Sequence, residues 1–137
     1  MEARVALMLA LPHALGGYNL PEPVLNHPHH LSAEAFRLYP HSPCRLDICW
    51  PKAMTAVEYD GAVHERLKQH ARDVARLNAL ALDGYAVTVV TYAQIQDPTA
   101  FDAIARRIAA KMGHRIQIRV DDYPTRQHRL RREFDLP

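Results

Sequence analysis

The chain has 137 residues, 48% of them hydrophobic and 23% charged, which is ordinary globular usage; it excludes wholesale disorder and leaves little room for more than one full domain. No apolar run nears the ~18 residues of a membrane span, and Met1-Glu2-Ala3-Arg4 enters a helical pattern with no basic leader, so neither a membrane protein nor a secreted one is expected. The net charge of +2 lies entirely beyond Gly113: 11 Lys/Arg balance 11 Asp/Glu before that point, and 6 Arg face 4 Asp/Glu after it. Two cysteines are too few for a disulfide scaffold, which points to a reducing cytoplasm.

Residues 2–11 read as a helix that Pro12 stops. Residues 12–24, with Gly16-Gly17, Pro21 and Pro23, read as an irregular loop. The His- and Pro-rich stretch 25–43 offers one short helix at Ala33–Leu38, capped by Ser32. Residues 44–50 and 55–60 read as two strands around the turn Pro51-Lys52-Ala53-Met54. Residues 64–82 carry Leu67, Ala71, Val74, Leu77 and Ala81 at helical spacing and end at Asp83-Gly84. A Val- and Thr-rich strand follows over 85–91, and Asp97-Pro98 opens a helix that runs to about Met112 before Gly113. The order α-β-β-α-β-α predicts a small α/β layer with a mixed sheet.

The two strands 44–50 and 55–60 can be set in register. Pairing Trp50 with Thr55 places Asp47 opposite Glu58 and Arg45 opposite Asp60. One face then carries Leu46, Ile48, Trp50, Val57 and Tyr59, a core face. The other gathers Arg45, Asp47, Cys49, Ala56, Glu58 and Asp60. Like charges opposite one another repel, so the three carboxylates need a cation, Arg45 or open solvent to offset them. A hard divalent ion such as Mg²⁺ takes carboxylate oxygens and keeps several waters, so an acidic pair on adjacent strands is a reasonable cradle for it. A one-residue slip would send Asp47 and Glu58 to opposite faces. Gly61 permits a sharp exit from the strand, and His64 follows at the start of the long helix, either as a proton carrier or phosphate contact or as a surface histidine.

The string VEYDGAVH, followed by Asp73, Arg76, Leu80, Gly84-Tyr85 and Val87, resembles the very-short-patch-repair-like branch of the PD-(D/E)XK nuclease superfamily. Its bacterial members carry Glu-x-Asp-Gly-x-x-His and then Asp-x-x-Arg-x-x-x-Leu-x-x-x-Gly-x-x-Val, and every one of these positions is filled between Glu58 and Val87. The resemblance implies a restriction endonuclease-like α/β core, with a small mixed β-sheet flanked by helices, over residues 1–113. The Arg-rich segment 114–137 would be an extension to it. The implied activity is Mg²⁺- or Mn²⁺-dependent hydrolysis of a DNA phosphodiester, with Asp47 and Glu58 as metal ligands and Asp60, His64 and Glu2 completing the site. Members often lie at the end of longer proteins, so a partner domain before Glu2 is compatible with it.

One position departs from the superfamily pattern. The usual lysine two residues after the second acid is Asp60 here, as is typical of this branch, and Lys68 or Arg72 on the next helix would have to supply the positive charge. The departure admits an alternative: a catalytically silent DNA-binding or protein-interaction module on the same fold. Asp73 and Arg76, one helical turn apart, read as a structural ion pair.

Arg126, Arg129, Arg131 and Arg132 form a basic run with no intervening acid, expected either to touch nucleic-acid phosphates from a flexible end or to be a solvated stretch. On the first view, residues 125–137 are removable without loss of the fold. On a competing view, Ile116, Ile118 and Val120 form an edge strand and the arginines pair with nearby acids. His27, His29, His30 and His41 lack the spacing of a structural zinc site and read as a surface loop. Cys44 and Cys49, five apart on one strand, are expected on opposite faces.

Overall fold

A computed structural model of the chain describes residues 1–61 and 67–137. Helix α1 (Glu2–Ala10) is followed by a 3₁₀ turn (His13–Leu15), strand β1 (Val24–His29), helix α2 (Ala33–Leu38) and strand β2 (Cys44–Trp50). A second 3₁₀ turn (Pro51–Ala53) leads to β3 (Thr55–Asp60). Helix α3 (Leu67–Leu82), strand β4 (Ala86–Thr91) and helices α4 (Tyr92–Gln96), α5 (Pro98–Lys111) and α6 (Tyr123–Glu133) complete the described elements. Among them no helix is long and apolar enough to cross a membrane.

The strands form one mixed sheet in the order β1-β2-β3-β4, with β1, β2 and β3 antiparallel in turn and β3 parallel to β4. A parallel pair needs a crossover between its strands, and α3 supplies it. The hairpin register is the expected one: Trp50 pairs with Thr55, Cys49 with Ala56 and Ile48 with Val57. Met54 closes its turn at φ 48°, in the left-handed region.

Helices cover both faces of the sheet. On one, Ile48, Trp50, Val57 and Val90 pack with Val5, Met8 and Leu9 of α1, Ile95 of α4, Phe101, Ala105 and Ile108 of α5, and Leu136. On the other, Cys49 and Ala56 pack with Leu80 of α3 and Tyr85. The acid-bearing face of the hairpin is therefore covered by α3. Leu46 and Cys44 join this second cluster instead of following Ile48 and Trp50 into the first, so the two cysteines share a cluster, both as free thiols. The pleat is broken beside them: Asn26, between the residues that pair with Ile48 and Leu46, sits at φ 50°.

Several local signals act as expected. Ser32 caps α2 by accepting from the Ala35 amide at 3.1 Å. Asp97 caps α5 by accepting from the Thr99 amide at 2.9 Å, with Pro98 in the first turn. Other expectations are corrected. The stretch expected to be loop contains β1, an edge strand that tolerates Pro28 because, among the described residues, no strand pairs with its outer side. Residues 114–120 form no strand, although Ile116 packs against the core.

The chain end is a packed element. Tyr123 of α6 donates from its hydroxyl to the Gly17 carbonyl at 3.1 Å, and Gln127 donates to the Tyr18 hydroxyl at 2.8 Å. A side chain at Gly16 would place Cβ 2.5 Å from the Arg126 carbonyl oxygen, so glycine there is what lets α6 approach. Leu136 is buried, and Leu130 and Phe134 pack beside it. Removal of residues 125–137 would therefore open the core.

Candidate active site

Beyond Ile48 and Val57 the hairpin forks: β2 goes on pairing with β1 and β3 with β4. Asp47 stands at the fork, and its Oδ2 accepts the Tyr59 backbone N–H at 3.0 Å. The carboxylate thus takes a main-chain donor that the partner strand no longer satisfies. Glu58, the next residue of β3, turns under α3, where both of its oxygens receive Arg76: Nη1 to Oε2 at 3.0 Å and Nη2 to Oε1 at 3.2 Å. Nη2 also donates to the Arg45 carbonyl. The side chains are 20% exposed for Arg76 and 13% for Glu58, so this bidentate pair is largely withdrawn from water.

Burial pushes the Glu58 carboxyl above its ordinary value, Arg76 pulls it down, and Asp47 pushes it up again, leaving it raised. Burial works against the Arg76 charge, and Glu58 more than reverses that, holding it above the ordinary guanidinium value. Among the described residues Arg76 thus offsets only part of what burial does to Glu58.

Between the end of β3 and α3 lies an open cleft of about 350 Å³, lined by Glu58, Tyr59, Asp60, His70, Asp73, Arg76 and Val89 among others. It brings Glu58 and Asp60 together as expected. His70 was not among the expected residues; its helical signal is the spacing His70–Asp73–Leu77, which sets all three on one face of α3. Asp73 lines the cleft, while Arg76 pairs with Glu58 of the sheet and not with Asp73 of its own helix.

Other expected site residues fall elsewhere. Glu2 is in the first turn of α1, a helix packed on the opposite face of the sheet, and does not line the cleft. His64 lies outside the described residues. Lys68 stands in the first turn of α3. Arg72 is exposed, one turn before Arg76; its guanidinium carbon lies 6.0 Å from the centre of the Tyr39 ring, and Nη2 is 3.4 Å from His41 Nε2. The Arg45 side chain, expected near Asp60, donates to the Asn26 carbonyl at 3.4 Å.

The four arginines near the chain end divide into two pairs. Arg131 is 2% exposed and donates to the carbonyls of Ile95 (2.6 Å), Gln96 (2.9 Å) and Pro137. Arg126 donates to Asp122 at 2.7 Å and to the Ala14 carbonyl at 2.8 Å. Arg129 and Arg132 are exposed.

Among the described residues no group of three or more His, Cys, Asp and Glu side chains is placed to hold a metal ion. Mg²⁺ is commonly held by one or two carboxylates, with waters and substrate phosphate completing its shell, and in donor chemistry Asp47 and Glu58 fit that mode. No family model, curated protein or solved structure matches the chain.

Proposed function

We propose that the chain is a Mg²⁺- or Mn²⁺-dependent endonuclease that hydrolyses a DNA phosphodiester at the cleft between β3 and α3. The observation that carries this reading is the gathering of Glu58, Asp60, His70 and Asp73 around one open cleft; Asp47 does not line it but reaches the Tyr59 amide at the hairpin fork, one residue along from Glu58. The resemblance of residues 58–87 to the very-short-patch-repair-like nucleases supports it. A bound divalent ion supplies an activated water and neutralises phosphate oxygens. Asp47 and Glu58 would hold that ion. The Tyr59 amide fixes Asp47, and Arg76 fixes Glu58, so both carboxylates are oriented before substrate arrives. His70 lines the cleft, and an imidazole there is of the residue type that general acid–base catalysis uses most often.

A second reading, a silent DNA-binding or protein-interaction module, is favoured by one observation: Glu58 already has a bidentate cation, with Asp60 where the superfamily lysine would stand. Cleavage of plasmid and oligonucleotide DNA with Mg²⁺, Mn²⁺ or chelator separates the two. Metal-dependent cutting that disappears in Asp47→Asn and Glu58→Gln, with both variants folded, is the expected result. Asparagine can keep the Tyr59 bond through its carbonyl oxygen and removes a charge next to Glu58, so Asp47→Asn is expected to be at least as stable as the parent. DNA binding without metal-dependent cutting establishes the silent module, and cutting retained in both variants rejects the site.

A further inference from the structure

We propose that Arg76 is the chain's own counter-cation for Glu58, and that a divalent ion gains that carboxylate only by displacing it. The inference rests on the metal-dependent reading above and concerns what controls access to that site. Both Nη atoms of Arg76 lie on the two oxygens of Glu58, at 3.0 and 3.2 Å, in the fork geometry that guanidinium and carboxylate prefer. Arg76 takes one lone pair on each Glu58 oxygen, so an ion that grips the carboxylate through both oxygens must displace it. A largely buried carboxylate with a second acid beside it needs positive charge in the resting state, and α3 delivers it from a residue 18 positions along the chain.

Displacement leaves the arginine with a hydrogen-bond partner. Nη2 already donates to the Arg45 carbonyl on β2, and that bond does not involve Glu58. The arrangement is a reversible latch: closed, it keeps Glu58 oriented and its charge compensated; open, it yields the carboxylate to the incoming ion. A merely structural arginine would behave differently, since its loss would disorder Glu58 and weaken metal binding.

Calorimetric titration of the metal-free full chain with Mn²⁺ tests this without any cleavage assay. Arg76→Gln is expected to bind Mn²⁺ about tenfold or more tightly than the parent, because the competitor is gone. Arg76→Lys, which keeps the charge but cannot grip both oxygens, is expected to fall between the two. Asp47→Asn should abolish binding in every background, which ties the signal to this site. Circular dichroism reports whether Arg76→Gln folds, and Arg76→Lys carries the test if it does not. Equal affinity in the parent and the folded Arg76 variants, or weaker binding in the variants, overturns the latch while leaving the nuclease reading intact. Absence of Mn²⁺ binding at millimolar concentration in the parent and all variants overturns both.

Discussion

Arg76 and Arg131 are both withdrawn from water, and the protein holds them in opposite ways. Arg76 meets a carboxylate, and Glu58 keeps its charge favourable despite burial. Arg131 meets main-chain oxygens of Ile95, Gln96 and Pro137, and burial pulls its guanidinium below the ordinary value. In the first case an ion pair compensates charge at a cleft. In the second a long side chain satisfies backbone oxygens at the end of α4 and at Pro137, which lie outside helix and strand bonding. The contrast shows why arginine in a sequence cannot be equated with a phosphate contact: the guanidinium fork suits a carboxylate, a carbonyl array and a phosphate alike.

The largest expected effect comes from breaking the Arg131 side of the comparison. Deleting residues 125–137 strips Leu130, Phe134 and Leu136 from the core and orphans the Ile95 and Gln96 carbonyls. Large-to-small losses of about 2–5 kcal/mol per core side chain, plus about 1–3 kcal/mol per orphaned group, approach the whole stability of a domain this size. The truncated chain is therefore expected to lose its cooperative urea transition, whereas Arg131→Met alone should lower the midpoint and keep the transition. A truncated chain as stable as the parent would mean that α6 is not part of the folding unit.

The Arg76 side is sharpened by pH. Because the folded Glu58 carboxyl titrates above its ordinary value, its contribution to stability is full below the unfolded value and declines as pH rises through the folded one. Glu58→Gln removes that decline. As pH rises above the ordinary carboxylate value the parent should therefore lose stability relative to Glu58→Gln, while Arg131 variants, in which no carboxyl is changed, should track the parent. Asp83 works in the other sense. Although burial alone would raise it, its bonds from Ser32 and His29 hold the carboxyl low, so its contribution is lost only as pH falls below the ordinary carboxylate range. A flat difference between parent and Glu58→Gln as pH rises would mean that Glu58 is not strained by burial.

Much of the sheet was legible in the sequence because its signals are local. Leu46, Ile48 and Trp50 alternate with Arg45, Asp47 and Cys49, and a four-residue turn leaves one register that gives Val57 a core partner. The long helix follows from periodicity alone, whereas its crossover role depends on the parallel pairing of β3 with β4. What sequence reasoning missed depends on distant partners. β1 carries Pro28 and a left-handed Asn26, which break a strand pattern but suit an edge. α6 is too polar to look like a core element, and its docking depends on the Gly16-Gly17 approach more than a hundred positions away. The site shows the same split: register put Asp47 and Glu58 on adjacent strands, but the strands part beyond Ile48 and Val57 before those two residues can pair, and the partner of Arg76 could not be read from spacing. Helical spacing offered Asp73, and the sheet provided Glu58, the acid that burial most needed to see neutralised.

The smallest expected effect concerns the two arginines of the chain end that remain exposed. Each phosphate that a DNA-bound protein ceases to neutralise lowers the slope of log affinity against log salt by roughly one unit. Of the four neighbouring arginines, Arg131 is buried and Arg126 is bonded to Asp122 and Ala14. Only Arg129 and Arg132 can contribute without unpacking α6, so the double change to alanine should reduce the slope by no more than about two units. Both sit on a surface helix already placed by Tyr123 and Leu136, so fold stability should stay within about 0.5 kcal/mol of the parent. Sequence preference should not move, because arginines on phosphates position a duplex without reading its bases. Binding of the parent and the double variant, each measured at two salt concentrations, decides the point: identical slopes would take α6 out of the interface and leave Arg72, exposed on the helix that borders the cleft, as the next arginine to test for a phosphate.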